Sequence, residues 1–332
     1  MVRVSLIILN RDGADLLDDC LASVIRQTYQ DFEVIFVDNA STDNSVNKAR
    51  ELLPQVKCLE LKENTGFARG NNLGIQQAAG EFIVLLNNDT ELDHRFLEEL
   101  VRVAESGDRV GMVAPKILNF FERRKIDSVG GLMICPDGLA QGRGRGEEDD
   151  GQYDELSEIL LPSGCAALYS RKLLDEIGLF DEQFFIYCED TDLGLRARWA
   201  GWNALSAPKA VVYHKYSGFS GAYSPFKLYL VERNHFLVAL KNFPLRTLLQ
   251  LPFWSLYRYF LMAAAVISGK GKGNAGGTGA LLGAFLRGHS AAFWLGLRTN
   301  LKRRPPIRLH PSEFVQLLKR HRLGLRKMIF NE

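Results

Sequence analysis

"VSLIILNRDGADLLDDCLASVIRQTYQDFEVIFVDNASTDNS" spans residues 4–45 and carries the pattern that sets the fold. Two short apolar runs rich in β-branched residues, 4–9 and 32–37, read as buried strands. Between them Leu16, Leu17, Leu21, Val24 and Ile25 recur at helical spacing over 14–26. The first run breaks on Asn10-Arg11-Asp12-Gly13, and the second stops on Asp38-Asn39-Ala40-Ser41-Thr42. The alternation then continues: a helix over 44–53, a strand over 56–61, a glycine-punctuated helix entry over 64–80, a strand over 82–86, an amphipathic helix over 92–106 and a strand over 110–115. Strands apolar along their whole length, alternating with helices, predict an α/β domain whose mostly parallel sheet is covered on both faces.

In such sheets ligands bind beyond the carboxyl ends of the strands. Three strands end there on polar clusters: Asn10, Asp38-Asn39 and Asn87-Asn88-Asp89. One such ending is an ordinary turn; three on one sheet edge point to a site. The run "FIVLLNNDTELD" (82–93) poses the question most sharply, since five apolar residues stop at once on a carboxylate flanked by amides. A turn explains that, and so does a site holding a metal and a phosphate.

Regularity fails after residue 120. The charged, glycine-rich "GRGRGEEDDG" (142–151) reads equally as a surface connection or as a lid. A small-residue strand and a helix follow within 164–182, then a helix that opens on Glu189, Asp190 and Asp192. Acidic residues in a first turn suit the helix dipole without any further role. A strand over 210–218 contains His214, and 226–242 looks helical.

Composition bounds the rest. The 332 residues are 46% hydrophobic and 24% charged, enough for a large core and against wholesale disorder. Net charge is only +2, but residues 245–332 carry 15 Lys/Arg against 2 Asp/Glu, a net +13, which leaves −11 on residues 1–244. That divides the chain into a body, 1–244, and a basic tail, 245–332, that favours anionic surfaces. Cys20, Cys58, Cys135, Cys165 and Cys188 form no CxxC and no disulfide-like framework, which predicts a reducing, cytoplasmic setting. The opening "MVRVSLIILN" reads as a strand rather than a signal peptide. No G-x-G-x-x-G follows the first strand, "GKGKGNAGGTG" (269–279) fits a linker better than a P-loop, and neither zinc spacing nor a G-x-S-x-G elbow is present.

Residues 4–45 closely resemble the opening of family 2 glycosyltransferases, "NTGFARGNNLGIQQAAGEFIVLLNNDTELD" (64–93) resembles that family's next segment, and "FFIYCEDTDLGLRARWAGW" (184–202) with His214 resembles its catalytic segment. The likeness runs in the right order over about residues 3–242 and leans toward the rhamnosyltransferase-like and galactofuranosyltransferase-like enzymes of bacterial cell-surface polysaccharide assembly. It implies a GT-A fold and an inverting, metal-dependent transferase using a nucleotide-diphospho-sugar, with a dTDP- or UDP-linked donor and rhamnose as first choice.

Carried over residue by residue, the resemblance places Asn10 and Asp38, with Asn39, at the nucleoside. It places Arg69, with Gly66 and Asn71, near the donor diphosphate, and Asn87 and Asn88 beside them. Asp89 stands as the metal-binding carboxylate of the D-x-D element, whose first aspartate is Asn87 here, a weaker ligand that still suits Mg²⁺ or Mn²⁺. His214 resembles the histidine that completes the metal site. Asp190 is the implied catalytic base, with Glu189 and Asp192 orienting the site or capping the helix, and "PSGCAALYS" (162–170) lines the acceptor side. The implied acceptor is a lipid-linked saccharide. Two alternatives stand beside it: transfer directly onto polyprenyl phosphate, and a non-catalytic saccharide-binding relic in which Asn87 has ended metal use.

In the tail, 245–267 and 280–297 are almost wholly apolar apart from Arg246, Arg258, Arg287 and His289. A central arginine costs about 2.5–3.5 kcal/mol on insertion scales. The expectation is therefore attachment to the inner face of the membrane. Arg258 and Arg287 would snorkel to headgroups, Trp254, Tyr257, Tyr259 and Trp294 would sit at interface level, and the basic run 302–308 would meet anionic lipid. Packing without a membrane and a spanning hairpin are the competing readings. No nucleic-acid motif accompanies the basic charge. The sequence leaves the oligomeric state open.

Overall fold

The computed structural model describes residues 2–215, 225–268, 278–299 and 306–330. Two compact units are present: residues 1–132 with 142–217, and residues 133–141 with 218–332. The division suggested by the change of charge, at 244/245, falls inside the second unit, because the helix Pro225–Asn242 packs with a helix that follows it.

The first unit begins β1 (Val4–Asn10), α1 (Leu17–Ile25), β2 (Phe32–Asp38), α2 (Ser45–Leu52), β3 (Lys57–Glu60), α3 (Gly66–Gln77) and β4 (Phe82–Asn87). It continues with β5 (Thr90–Leu92), α4 (Phe96–Ala104), β6 (Val110–Asn119) and β7 (Ile126–Val129). After the paired strands β8 (Leu132–Ile134) and β9 (Ala140–Gly142) come β10 (Ala166–Ser170), α5 (Arg171–Ile177), α6 (Glu189–Trp199) and β11 (Asn203–His214).

The large sheet runs β3-β2-β1-β4-β10-β6-β11-β5, with β7 added on β6. The first four strands are parallel, as the alternation with helices requires, and so are β6 and β11. Strand β10 enters antiparallel between β4 and β6, so the sheet is mixed.

The unbroken apolar runs have a simple cause. Successive side chains of a strand point to opposite faces, and both faces here are buried. Leu6, Ile8, Phe36, Val84 and Leu86 join one core with Leu17, Leu21 and Val24 of α1 and Phe96, Leu97 and Leu100 of α4. Ile7, Ile35, Val37, Ile83 and Leu85 join the other with Ala68 and Ile75 of α3 and Leu173, Leu174 and Leu193 of α5 and α6. Gly70 and Gly74 bring α3 close, since a Cβ at either would meet Leu9 or Ile7 at 2.6–2.7 Å.

Residues 142–151 are laced to β7 by backbone bonds from Val129 to Arg143, from Gly146 to Ile126 and from Ile126 to Glu147. They lie as a pinned connection along that strand.

The second unit contains α7 (Pro225–Asn242), α8 (Leu245–Leu248), α9 (Leu251–Ile267), α10 (Thr278–Thr299), α11 (Pro311–Arg320) and α12 (Leu325–Phe330). Here one expectation fails. Arg258 does not snorkel: it is 2% exposed, bonded through Nε to Asp137 at 2.5 Å and through both terminal nitrogens to Glu232 at 2.9–3.0 Å. Trp254 and Tyr257 are partly buried against the cluster of Cys135 and Leu261, and the Tyr259 hydroxyl bonds Glu232. Trp294 remains 60% exposed. No helix among the described residues is long and apolar enough to cross a membrane. Residues 269–277 of the glycine-rich run and 302–305 of the basic cluster lie outside the described residues.

Candidate active site

Register brings the polar strand ends together. Asn10 pairs with Asp38 across β1 and β2, and Leu9 pairs with Asn87 across β1 and β4. The Asn10 amide donates to Asp38 and to the Ser41 hydroxyl, both at 3.2 Å, and its carbonyl accepts from Asn88 at 2.6 Å. Gly13 must be bare for this, because a Cβ there would strike the side chains of both Asn10 and Asn88. Asp38 also accepts the Ser41 N–H and hydroxyl, which fixes its carboxylate at the strand end.

Asn39 is a brace. Its carbonyl accepts from the Thr65 N–H and hydroxyl, and its amide donates to Asn64 and to the Gly66 carbonyl. Gly66 has φ +78°, and a Cβ on it would meet Phe185 at 2.5 Å. The close approach it permits is therefore to protein: the Phe185 carbonyl accepts the Phe67 and Ala68 N–H groups and satisfies two free donors at the head of α3. Asn71 is buried and donates to the Phe67 carbonyl. Arg69 is half-exposed and, among the described residues, makes loose contacts with Glu182 at 3.8 Å and Glu63 at 4.0 Å.

Strand β4 ends on Asn87, whose N–H donates to the Cys165 carbonyl, and the chain turns into β5 through Asp89. Because β5 pairs with β11, with Thr90 opposite His214, the imidazole is carried to Asp89. His214 Nε2 lies 3.3 Å from Asp89 Oδ1, and Nδ1 lies 2.9 Å from Asp127 Oδ2. Sequence reasoning missed Asp127. It comes from β7, inside the stretch that reads as irregular, and only the antiparallel β6–β7 pairing places it here.

Burial opposes charge on His214. Its neighbours Cys165, Asp127 and Asp89 more than offset this, holding it well above the ordinary histidine value. The two carboxylates carry the effect, since burial pushes the Cys165 thiol up and keeps it neutral. Asp127 is held below the usual range, with His214 and Arg145 outweighing its burial. On the Asp127 side, a cavity of about 180 Å³ is lined by Asn119, Lys125, Arg145 and His214.

The acidic pair lies at the head of α6. Phe185, Tyr187 and Cys188 all have positive φ, a costly conformation for non-glycine residues that surrounding structure must enforce. Asp190 accepts the Gly164 N–H at 2.8 Å on one oxygen and the Thr191 N–H and hydroxyl on the other. Gly164 precedes Cys165, so Asp190 is tied to the segment that receives Asn87.

Glu189 is 4% exposed, and its Oε2 has no hydrogen-bond partner among the described residues; the same holds for the Tyr169 hydroxyl. Burial, then Asp190, pushes Glu189 well above the usual carboxylate range. Burial raises Asp190 too, against three bonds that favour its anion. Their environments therefore differ: burial raises both, and Asp190 has bonds that favour its anion whereas Glu189 Oε2 has none among the described residues. Asp192 is fully buried against Arg196 at 2.8 Å, and Arg196 in turn donates to the carbonyls of Ile177 and Leu179. That is a structural pairing.

In the second unit Glu232, His235 and His289 place ligand atoms within 4.8 Å of one another. The Arg258 guanidinium bonds both Glu232 oxygens and His235 Nε2, so a cation from the protein already fills that place.

Residues 4–178 match the family model "Glycosyl transferase family 2". The N-acetylglucosaminyl-diphospho-decaprenol L-rhamnosyltransferase of Mycobacterium tuberculosis is 28% identical over 224 residues, covering 60% of this chain and 71% of that one. The O-antigen biosynthesis protein RfbC of Myxococcus xanthus is 29% identical over 64% of this chain but only 17% of its own length. The fold is shared with the mannosyltransferase PcManGT of Pyrobaculum calidifontis, solved with GDP-Man and Mn²⁺, at a TM-score of 0.53 and 18% identity over 96% of this chain and 86% of that one. It is also shared with GalNAc-T7, solved with UDP, GalNAc and Mn²⁺, at 0.59 and 19% identity over 73% and 48%. The chain belongs to glycosyl transferase family 2 and has the GT-A fold.

Proposed function

We propose that this glycosyltransferase moves a sugar, rhamnose first among candidates, from a dTDP- or UDP-linked donor to a hydroxyl of a lipid-linked saccharide, inverting the anomeric centre, at the inner face of the cell membrane. One observation carries the reading. Asp190 is fixed through Gly164 to the segment that receives Asn87, two residues from Asp89 and its partner His214. A candidate base and a candidate metal-binding pair thus share one sheet edge.

The residues suit a divalent cation, Mg²⁺ or Mn²⁺. Asp89 and His214 would hold it, and Asp127 on the far nitrogen fits the arrangement in which a ligating histidine is oriented by a carboxylate. When bound, the ion supplies positive charge beside the departing diphosphate. The protein's own groups do the rest. Asp38 and Asn10 receive the nucleoside at the strand ends, and Arg69, exposed and loosely paired, is free to turn toward the diphosphate. Asp190 Oδ2, which accepts the Gly164 N–H, retains a lone pair, while Oδ1 already accepts both Thr191 donors. As the acceptor oxygen attacks the anomeric carbon from the face opposite the diphosphate, its proton passes to Asp190 and the bond to the leaving phosphate breaks. Glu189, raised by its burial and by Asp190, disfavours a second negative charge beside the nucleophile.

The test is the thermal midpoint of the purified protein across nucleotides, each with and without Mg²⁺ or Mn²⁺. A ligand that binds only the native state raises the midpoint by mass action. The expected result is a rise for dTDP or UDP that requires the metal. A folded protein that responds to no nucleotide would overturn the donor site.

A further inference from the structure

Helix α9 is built inside out. Its 17 residues contain one charged side chain, Arg258, and that one is buried with Asp137 and Glu232. Ser255 is buried as well. The opposite face is Phe253 (64% exposed), Leu256 (68%), Phe260 (68%) and Ile267 (87%), continued backward by Leu249 (73%) at the end of α8. A helix facing water carries its polar residues outward; this one hides them and presents an apolar stripe at helical spacing. Helix α10 likewise exposes Leu286, Phe293 and Trp294.

We propose that the outward face of α9 inserts into the headgroup–acyl boundary of an anionic membrane, with Arg258 as the internal counter-charge of its buried face. The proposal rests on the reading above only for its choice of a membrane-bound acceptor. The charge of the tail favours lipid over a second copy. Residues 245–332 are +13, with no Asp or Glu from 245 to 312. A second copy would bring the same positive charge against it, whereas an anionic leaflet is complementary. A protein partner would also want a polar rim, and the exposed positions of this helix supply none. At a rise of about 1.5 Å per residue the helix is roughly 25 Å long, short of the ~30 Å hydrocarbon core, so it lies in the interface.

The test is flotation of the purified chain with phosphatidylglycerol–phosphatidylcholine vesicles, at low and high salt, for the wild type, Phe253→Ser, Phe260→Ser and the double variant. The metal-dependent nucleotide shift is measured alongside as an independent readout of fold and donor site. Insertion predicts wild-type binding that survives high salt, and a loss of about tenfold in partition for each phenylalanine removed, with the nucleotide shift intact. Binding abolished by salt would mean adsorption of the basic tail alone and would overturn the proposal. So would a wild-type dimer that the serine variants convert to monomer. If vesicles bind and no nucleotide does, the transferase reading fails and the membrane face stands.

Discussion

Replacing Arg258 with methionine separates the buried-pair structure from the snorkelling expectation. The substitution roughly keeps the packed volume but strands Glu232, 3% exposed, and Asp137, fully buried, without their shared cation. Breaking a buried ion pair from one side costs about 3–5 kcal/mol, because the remaining charge stays desolvated and uncompensated. For a chain of 332 residues that is a drop of roughly 4–7 °C in the midpoint. Heating or urea, followed by circular dichroism at neutral pH in detergent-free buffer, reads it directly.

The pH dependence adds a signature. Burial alone would raise Glu232; Arg258 outweighs it and holds the carboxyl at about 2. In the wild type this group contributes stability that is complete above its unfolded value and is lost as pH falls toward 2. In Arg258→Met the burial remains, opposed more weakly by His235 and the Tyr259 hydroxyl than it was by Arg258. The folded value then lies above the unfolded one, and protonation relieves the strain as pH falls. The gap between the two proteins should therefore narrow on acidification, and Glu232→Gln should recover part of the loss in the methionine background. An Arg258 in water or at headgroups predicts no change in midpoint; that result would refute the pairing.

Two further predictions concern the candidate site. Asp190→Asn should keep the metal-dependent nucleotide shift while transfer falls on the order of 10²–10⁴-fold, and full transfer would dismiss Asp190 as the base. In the wild type the rate should fall on the acid side at a higher pH than an ordinary aspartate would give, since burial raises Asp190. Asp127→Asn should weaken Mn²⁺ binding by about 10–100-fold, measured by titration of the metal itself, with the fold unchanged. Unaltered Mn²⁺ affinity would show that Asp127 does not orient His214 for an ion.

Much of the first unit was legible because its signals are local. Strands β1, β2 and β4 read as buried because both faces are covered, and their polar ends stand out against an apolar run. The antiparallel entry of β10 was not legible: "AALYS" carries burial but no direction, and its neighbours β4 and β6 are set by long-range register. Glycines misled for a related reason. Gly66 looks like room for a ligand, whereas it makes room for Phe185, more than a hundred residues away. Arg258 shows the same limit: hydropathy sees a charge in an apolar run, while its partners lie 26 and 121 residues earlier.

The weakest point in the sequence, Asn87 where the family pattern has a carboxylate, changes meaning once Asp127 is in place. Read from the strand alone, the site has one anion and an amide, a poor cradle for a divalent ion. In the folded chain Asp127 adds a second carboxylate, partly buried and held below the usual range by His214 and Arg145, on the far side of the imidazole. Were an ion held at Asp89, Asp127 would make His214 a stronger donor to it than an isolated histidine. The relic reading was motivated by Asn87, and Asp127 is the observation that weighs on the other side. Asp89, His214 and Asp127 are aligned at 3.3 and 2.9 Å across strands β4–β5, β11 and β7, which supports the proposed metal site.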